Sequence, residues 1–360
     1  MKADKLRILY IAYSLLPITE ASCGGAEQAL LLLQAQMCLR GHGTTIAACH
    51  GSRTPGELFI TGNPPAAGDG FEARDAEHIQ RVIEFVRHRQ QTRPFDVIHD
   101  HGGSFWKHAA EVGVPVLATF HLPRSYYPEN AFAQLSSNLT INCVSESQAQ
   151  NFRDVPRLAG VVRNGVDVEC FPFTQRKQDY LLWLGRVCLE KGPHLALDVA
   201  QQRGMKIVLA GEVYPFSYHQ NYFEQEIAPR LSVMNGRAKH VSGISFNAKL
   251  ELLCNARAVL IPSLVDETSS LVAMEAMACG TPVICFRRGA LPEVVAEAET
   301  GFLVNTVEEM VEAVSAVDAL DPHACRERVE QHFSATRAAG EYEQLYWQLT
   351  SSLEAMASGV

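Results

Sequence analysis

The chain has 360 residues, of which 47% are hydrophobic and 20% are charged, and this length and composition predict a globular protein of two domains. Its formal net charge is -9, and neither half is basic: residues 1–170 carry 15 Lys and Arg against 17 Asp and Glu, and residues 171–360 carry 16 against 23. These charges argue against nucleic acid as a partner and against a polybasic contact with anionic lipid.

The ten cysteines are scattered, without a C-x-x-C pair or a zinc-site spacing. This favours free thiols in a reducing cytoplasm and predicts no metal site. No apolar run reaches the length of a membrane span, so we expect a cytoplasmic protein without a transmembrane anchor. The apolar residues 8–18 precede a glycine pair and no clear cleavage site, which favours a buried strand over a signal peptide.

Short apolar runs alternate with helical patterns in the first half of the chain. The apolar runs predict strands at residues 6–13, 44–48, 96–99, 116–120 and 139–144. Apolar residues at helical spacing predict helices at residues 26–40 and 74–91 and from about residue 145. Strands that alternate with helices imply a parallel sheet covered by helices, which is a doubly wound α/β domain.

The same alternation begins again after residues 167–179, which have no periodicity and predict a linker. The second half predicts strands at residues 180–184, 206–210, 258–261, 282–286 and 301–304, and helices at residues 193–203, 248–255, 271–279 and 341–357. We therefore expect a second α/β domain and a ligand cleft between the two. In such sheets ligands bind beyond the carboxyl ends of the strands, so the loops there are candidate sites.

Two glycines, Gly24 and Gly25, begin the first predicted helix. Free amides and the positive end of the helix dipole favour an anion such as phosphate at this place. The G-x-G-x-x-G pattern of dinucleotide-binding proteins is absent, which disfavours NAD. A tight turn without a ligand explains the pair equally well.

The loop after the strand at residues 180–184 carries two cations, Arg186 and Lys191, between glycines at its two ends. A guanidinium fork and a mobile ammonium suit phosphate oxygens. The alternative is an ordinary solvated loop with surface charges. Because the loop lies at a strand end, a phosphate site explains the two cations equally well.

The most informative stretch follows the strand at residues 258–261. Ser269 or Ser270 suits a helix N-cap, and Glu275 falls inside an otherwise apolar helix. A buried carboxylate requires a partner. The hydroxyls of a ribose would satisfy it, and a salt bridge to a Lys or Arg of the core would do the same. Glu267, at the mouth of the strand, could reach another part of the same ligand.

These segments carry a family resemblance. Glu267, seven residues, Glu275 and then Ala-Met-Ala-Cys-Gly-Thr-Pro-Val resemble the signature of the retaining family 4 glycosyltransferases, which have the GT-B fold. The resemblance extends over nearly the whole chain in one order: Gly24-Gly-Ala-Glu27, Asp96-Val-Ile-His-Asp-His101, Thr119-Phe-His121, Asn164-Gly-Val-Asp167, Gly185-Arg186 with Lys191-Gly192, Gly289-Ala-Leu-Pro-Glu293 and Thr300-Gly-Phe-Leu-Val304.

The resemblance implies two Rossmann-like domains facing a cleft. Residues 1–170 would form the acceptor-side domain, and residues 171–337 would form the domain that binds the donor. A C-terminal helix at about residues 338–360 would cross back to the first domain. The substrate would be a nucleotide diphosphate sugar, UDP- or GDP-linked, and the acceptor a small molecule, a glycan or a glycolipid.

The resemblance also implies roles for single residues. His121 would lie near the donor sugar and the acceptor, and Glu267 would hold the sugar hydroxyls. Arg186 and Lys191 would hold the diphosphate, so that neither a metal nor a cofactor is required. The remaining donor-binding residues would be Gly24, Gly25, Thr268, Ser269, Ser270, Leu271 and Glu275.

The chain departs from the family at Ser269 and Ser270, where Phe-Gly is frequent, and this could change the preference for sugar or nucleotide. Two alternatives stay open beside a transferase. One is a nucleotide-sugar 2-epimerase of the same fold, and the other is a sugar-nucleotide binding protein without catalysis. His99 and His101 follow a strand, and we expect hydrogen-bonded histidines of the core there.

Overall fold

The structure is a computed structural model that describes residues 5–20, 22, 24–64 and 71–358, with side chains as far as Ser351. The chain forms two compact units. Unit 1 consists of Met1–Asn164 and Ala335–Val360, and unit 2 consists of Gly165–Ser334. Each unit has its own parallel sheet and its own hydrophobic core.

The sheet of unit 1 has seven parallel strands in the order β3-β2-β1-β4-β5-β6-β7. The central strand pairs on both sides: Ile8 lies opposite Thr44 of one neighbour and Val97 of the other. The order reverses between β1 and β4. In chain order the strands are β1 (Arg7–Ile11), β2 (Gly43–Ala48), β3 (Glu57–Ile60), β4 (Val97–Asp100), β5 (Val116–Thr119), β6 (Leu139–Cys143) and β7 (Leu158–Val161).

Alternate residues of β1 supply the two faces of this sheet. Leu9 and Ile11 belong to one buried cluster, and Ile8 and Tyr10 belong to another on the opposite face. Both faces are therefore covered, as a parallel sheet requires. The helices of this region are α1 (Gly25–Leu39), α2 (Phe71–Gln90) and α3 (Glu146–Asn151), with 3-10 turns at Phe105–Glu111, Arg124–Tyr126 and Glu129–Phe132.

The sheet of unit 2 has six parallel strands in the Rossmann order β10-β9-β8-β11-β12-β13, which reverses between β8 and β11. The residues of β11 are all buried, because helices cover both faces. In chain order the strands are β8 (Tyr180–Leu184), β9 (Lys206–Ala210), β10 (Ala238–Val241), β11 (Ala258–Ile261), β12 (Val283–Phe286) and β13 (Gly301–Val304).

Several helices of unit 2 begin at an N-cap whose hydroxyl accepts a hydrogen bond from a backbone amide. These N-caps are Ser245, Ser270 and Thr306. The helices are α4 (Pro193–Arg203), α5 (Ser217–Tyr222), α6 (Ala228–Val233), α7 (Phe246–Asn255), α8 (Leu271–Ala278), α9 (Leu291–Val294), α10 (Val307–Ala316) and α11 (Pro322–His332). A π-helical turn, Phe223–Ile227, joins α5 to α6, and 3-10 turns occur at Val168–Cys170, Leu189–Lys191 and Val317–Ala319.

The last helix, α12 (Ala335–Ser358), belongs to unit 1 and packs against α1. It begins before the predicted 341–357 helix, and the last two positions of the 338–360 range lie outside the described residues. Ala339, Tyr342 and Tyr346 are buried in the same cluster as Ile8 and Tyr10. The C-terminal helix therefore completes the core that the first strand begins.

The prediction of two doubly wound α/β domains is confirmed. Three strands, β3, β7 and β10, were not predicted. Each is an edge strand, and its residues are partly or fully exposed. An edge strand lacks the continuous apolar run by which a buried strand is recognised in the sequence. The helices α5, α6, α9, α10 and α11 were also not predicted.

Candidate functional site

The carboxyl ends of β8 and β11 are the place in unit 2 where a ligand site is expected. These two strands are neighbours at the reversal of strand order, which is the position where open α/β sheets have a ligand crevice. The loop after β8 spans residues 185–192, and the loop after β11 spans residues 262–270. They contain Arg186, Lys191 and Glu267.

Close backbone contact holds these two loops together. Gly192 has φ +64, and a Cβ at this position would collide with the carbonyl oxygen of Pro262. The amide of Leu264 donates to the carbonyl oxygen of Glu190 at 2.8 Å. Glycine is therefore required at position 192 for its conformation and for the close approach of the two backbones.

The side chains of Lys191 and Glu267 form an ion pair in this crevice. Lys191 Nζ lies 2.7 Å from Oε1 and 2.8 Å from Oε2 of Glu267, and Ser263 Oγ donates to Oε1 at 2.5 Å. Glu267 is 9% exposed, whereas the Lys191 side chain is 34% exposed. The structure thus joins two groups that the resemblance assigns to different parts of the donor.

The backbone of Glu267 is fixed from a third loop. The amide of Ala290 donates to the carbonyl oxygen of Glu267 at 2.7 Å. Gly289 has φ +53, and a Cβ there would collide with the backbone of Glu267. The Gly-Ala-Leu-Pro-Glu segment that begins at Gly289 therefore positions the carboxylate, and this explains its glycine.

Arg186 lies two residues after the end of β8, and its side chain is exposed. Its guanidinium carbon lies 5.7 Å from the ring centroid of Tyr214. A planar cation that contacts an aromatic ring remains able to donate several hydrogen bonds to an anion. The crevice thus holds an exposed guanidinium in addition to the ammonium of Lys191.

Glu275 lies on α8 and is 4% exposed. Lys249 of α7 contacts it, with Nζ 2.8 Å from Oε1. Burial raises the pKa of Glu275, and the ammonium of Lys249 acts in the opposite direction. Of the two explanations that the sequence left open for this carboxylate, the structure contains the salt bridge.

The first turn of α8 carries the Ser-Ser departure. Ser270 is the N-cap, since its hydroxyl accepts from the amide of Ala273 at 3.4 Å. The Oγ of Ser269 is buried and has no hydrogen-bond partner among the described residues. The amides of this first turn, beginning at Leu271, and the positive end of the helix dipole suit an anionic or hydroxyl-rich group. Thr268 precedes them and is half-buried.

The glycine pair of unit 1 begins α1. Gly24 is the N-cap in extended conformation and has no side chain to cap the first amides. A Cβ on Gly24 would collide with the carboxylate of Glu27, and burial raises the pKa of that carboxyl group. The amides at this helix start thus have a carboxylate beside them in the structure.

His121 follows β5, in the loop that leaves its carboxyl end. Its Nε2 lies 3.0 Å from Nδ1 of His101. Burial lowers the pKa of His121 to about 4, so the imidazole is neutral at pH 7. His99 and His101 are also buried, as expected, and burial lowers their pKa values well below the ordinary range.

Two features are absent from the described residues. None of the helices there combines the length and hydropathy needed to cross a bilayer. No group of three or more His, Cys, Asp or Glu side chains in the same residues is arranged to hold a metal ion.

Two family models match the chain, one in each half. The model of Glycosyltransferase Family 4 matches residues 23–170, and that of Glycosyl transferases group 1 matches residues 172–329. The chain belongs to the family 4 type of glycosyltransferases. The GT-B architecture that the sequence motifs implied is thereby confirmed.

Curated relatives are similar over part of their length. An MMP alpha-(1->4)-mannosyltransferase of Mycolicibacterium hassiacum is 30% identical over 236 residues, which are 56% of each chain. A D-inositol 3-phosphate glycosyltransferase of Corynebacterium efficiens is 29% identical over 331 residues, or 75% of each chain. This chain thus spans just over half of the first relative and three quarters of the second.

Solved structures show the same fold over nearly the whole chain. Sucrose-phosphate synthase of Thermosynechococcus elongatus has a TM-score of 0.76 at 20% identity and covers 97% of this chain and 100% of its own. Anabaena HepE in complex with UDP and glucose has a TM-score of 0.75 at 15% identity and covers 94% and 99%. At these identities the likeness shows the fold alone.

Two residues that contact predicted site residues were missed from the sequence, Ser263 and Lys249. Tyr342 and Tyr346, which contact Thr119 and His99, were missed as well. Of these residues, Lys249 could have been recognised from the sequence, because it is a lysine in a predicted helix of the same domain as the buried glutamate. The two tyrosines could not be connected to His99 and Thr119, because more than 200 residues separate the partners along the chain.

Proposed function

We propose that this glycosyltransferase moves a sugar from a nucleotide diphosphate sugar to an acceptor hydroxyl and retains the anomeric configuration. The observation that carries the proposal is the contact of Lys191, Glu267 and Ser263 at the reversal of strand order in unit 2. It places a mobile cation and an oriented carboxylate where α/β sheets bind ligands.

The ion pair explains how the crevice would receive the donor. A diphosphate would draw the Lys191 ammonium from Glu267 to its own oxygens, and the exposed Arg186 would add a second cation. Glu267 would keep the hydrogen bond from Ser263 and could accept bonds from sugar hydroxyls. Negative charge grows on the leaving phosphate as the glycosidic bond breaks, so cations bound to its oxygens would stabilise the transition state more than the ground state.

We propose retention from the family resemblance, with Glu267 as a binding group and not as a nucleophile. A carboxylate that keeps the hydrogen bond from Ser263 and accepts bonds from sugar hydroxyls is suited to binding rather than to attack on the anomeric carbon. We therefore assign the deprotonation of the acceptor hydroxyl to a phosphate oxygen of the donor. Glu275 would bind the ribose with its second oxygen, while Lys249 holds the first.

We assign the donor to unit 2 and the acceptor to unit 1, where His121 is the proposed catalytic residue. The relatives named above transfer mannose or act on inositol phosphate by name, and solved neighbours hold UDP or ADP. The donor would thus be a UDP-, GDP- or ADP-linked sugar. We also propose a cytoplasmic location, because nine cysteines of the described residues are free thiols.

A thermal-shift comparison of UDP, GDP, ADP and their sugars tests the proposal. A ligand that binds only the folded protein raises its melting temperature, and we expect one nucleotide series to do so. The responding donor is then incubated with and without candidate acceptors, and the anomeric configuration of the product is read by NMR. Epimerised sugar formed without an acceptor would identify an epimerase, and an inverted product would contradict retention.

A further inference from the structure

Trp183 is a buried tryptophan near the carboxyl end of β8. It is the fourth of the five residues of the strand and is 2% exposed. It belongs to one buried cluster with Leu197 of α4 and Leu209 of β9. An indole has one N–H donor, and a buried indole requires an acceptor for it. The position of that acceptor decides whether Trp183 serves the core alone or also the loop that follows the strand.

The acceptor belongs to the loop at residues 185–192. Trp183 Nε1 donates to the carbonyl oxygen of Lys191 at 3.1 Å. At the other end of the loop, a Cβ built on Gly185 would lie 3.5 Å from Cζ2 and Cη2 of the same ring, which is ordinary van der Waals contact. The ring therefore lies against the start of the loop and also holds the residue that carries its ammonium.

Other contacts hold the backbone of this loop at different residues. In the first half, the amide of Val187 donates to the carbonyl oxygen of Glu212 at 2.9 Å. In the second half, the carbonyl oxygen of Glu190 accepts from an amide of the loop after β11 at 2.8 Å. The bond from Trp183 acts on the peptide group of Lys191 itself.

This bond fixes the direction in which the Lys191 side chain leaves the loop. The carbonyl group of Lys191 lies in the peptide plane that joins it to Gly192, and Gly192 has φ +64 and lies against the backbone of Pro262. Because the indole holds one side of this plane and Gly192 the other, the Cα–Cβ bond of Lys191 has a defined orientation. The ammonium then reaches both carboxylate oxygens of Glu267.

We propose that Trp183 is a positioning residue of the donor site and acts through Lys191. A phenylalanine at this position would fill most of the same space, but it has no N–H to offer to the Lys191 carbonyl group. The ammonium would then lose its defined direction, and a misplacement of about 1 Å at a reacting site can cost about 10²-fold in rate. The effect on transfer rests on the proposed function, whereas the hydrogen bond is a contact within unit 2.

The test is a double-mutant cycle in the full-length protein. Trp183→Phe removes the indole donor, Lys191→Gln removes the ammonium, and a third variant carries both changes. Tyr180→Phe is the matched control, because Tyr180 Oη also donates to a backbone carbonyl oxygen, that of Leu252 at 2.8 Å, from the amino end of the same strand. We would measure kcat/KM for the donor that responds in the thermal-shift comparison, and stability by urea unfolding.

We expect Trp183→Phe to lower kcat/KM at least about tenfold and Tyr180→Phe to leave it unchanged. In the Lys191→Gln background, Trp183→Phe should have little further effect, because the group that the indole orients is already gone. Equal losses in the two backgrounds would overturn the proposal, since Trp183 would then act independently of Lys191. A loss of kcat/KM in Tyr180→Phe as large as that in Trp183→Phe would also contradict it.

A measurement on the wild type tests the proposal even if Trp183→Phe does not fold. The chain has three tryptophans, and the indole N–H resonances of Trp106 and Trp347 in unit 1 are internal controls. Inorganic pyrophosphate, added until the melting temperature rises, should shift the Trp183 resonance, because the indole holds the residue that binds the probe. The shift should be absent in Lys191→Gln. An unchanged Trp183 resonance in the wild type under these conditions would refute the positioning role.

The outcomes separate this inference from the proposed function. If Lys191→Gln transfers sugar as the wild type does, the assignment of Lys191 to the diphosphate is wrong, and the positioning role fails with it. If Lys191→Gln lowers kcat/KM but Trp183→Phe behaves like Tyr180→Phe, the transferase stands and only the positioning role is wrong.

Discussion

Units 1 and 2 have the same strand order around the reversal, but the polar groups at their carboxyl ends differ in kind. Unit 1 holds a chain of neutral His, Thr, Asn and Tyr side chains joined by hydrogen bonds, with the carboxyl group of Asp100 at the end of β4. Unit 2 holds two charged pairs, Lys191 with Glu267 and Lys249 with Glu275. The topology provides the place, and the side chains decide its chemistry.

The difference indicates what each site can bind. Charged pairs in a crevice can exchange partners with an anionic ligand such as a diphosphate. A neutral chain cannot attract an anion strongly, but it directs donors and acceptors, which suits hydroxyl groups. The four experiments that follow are ordered from the largest expected effect to the smallest.

The first experiment removes the mobile cation of unit 2. Lys191→Gln should lower kcat/KM by about 10²–10³ or more, as expected when a group that stabilises transition-state charge is lost. Lys206→Gln, at the exposed start of β9, is the matched control and should transfer normally. Circular dichroism verifies folding. Wild-type kcat/KM in Lys191→Gln would show that the ammonium does not hold the diphosphate.

The second experiment breaks the buried pair. Lys249→Met leaves the carboxylate of Glu275 buried without its ammonium and should destabilise unit 2 by about 3–5 kcal/mol. Arg287→Met breaks the exposed pair with Glu297 and should cost less than about 1 kcal/mol. Urea unfolding followed by peptide-resolved hydrogen exchange locates the loss. An equal loss of unfolding free energy in Lys249→Met and Arg287→Met would show that the buried pair contributes no more to stability than the exposed pair.

The third experiment tests Glu275 as the ribose ligand. Glu275→Gln should weaken nucleotide binding by about 1.5–3 kcal/mol, the range for a hydrogen bond to a charged group. Glu251→Gln, on the exposed side of α7, should leave the Kd unchanged. Isothermal titration calorimetry measures both. An unaltered Kd in Glu275→Gln would show that Glu275 pairs with Lys249 and does not bind the ribose.

The fourth experiment uses pH to separate the units. The folded pKa values of His78 and His121 are lowered to about 4, so the unfolded chain takes up protons first as pH falls below about 6.5. Stability present above that pH is lost on acidification, by about 1 kcal/mol per histidine between pH 7 and 5.5.

In unit 1 the raised pKa values of Asp100 and Glu27 act in the opposite direction, but the lowered pKa values of His99 and His101 add to those of His78 and His121. In unit 2 the raised pKa of Glu275 opposes the lowered pKa values of His194 and His219. Unit 1 should therefore lose protection from hydrogen exchange first as pH falls. His78→Asn should reduce the pH dependence of unit 1 if it folds as the wild type does. If unit 2 lost protection from hydrogen exchange before unit 1 as pH falls, the prediction would be wrong.

The sequence by itself determined the strands whose residues are buried on both faces, such as β8, β9 and β11, because a continuous apolar run is a local property. It also determined Ser270 as one of two possible caps and the glycines at the loop ends. These features depend on neighbours within a few residues. The order of the motifs then indicated the family, which the family models confirm.

Only the tertiary structure decided which groups meet. Lys249 contacts Glu275 across 26 residues, Lys191 contacts Glu267 across 76, and His99 contacts Tyr346 across 247. No local pattern records such pairs, since strand order and helix packing determine them. The tertiary structure also decided the edge strands, because half-exposed residues form a strand only when a neighbouring strand supplies hydrogen bonds.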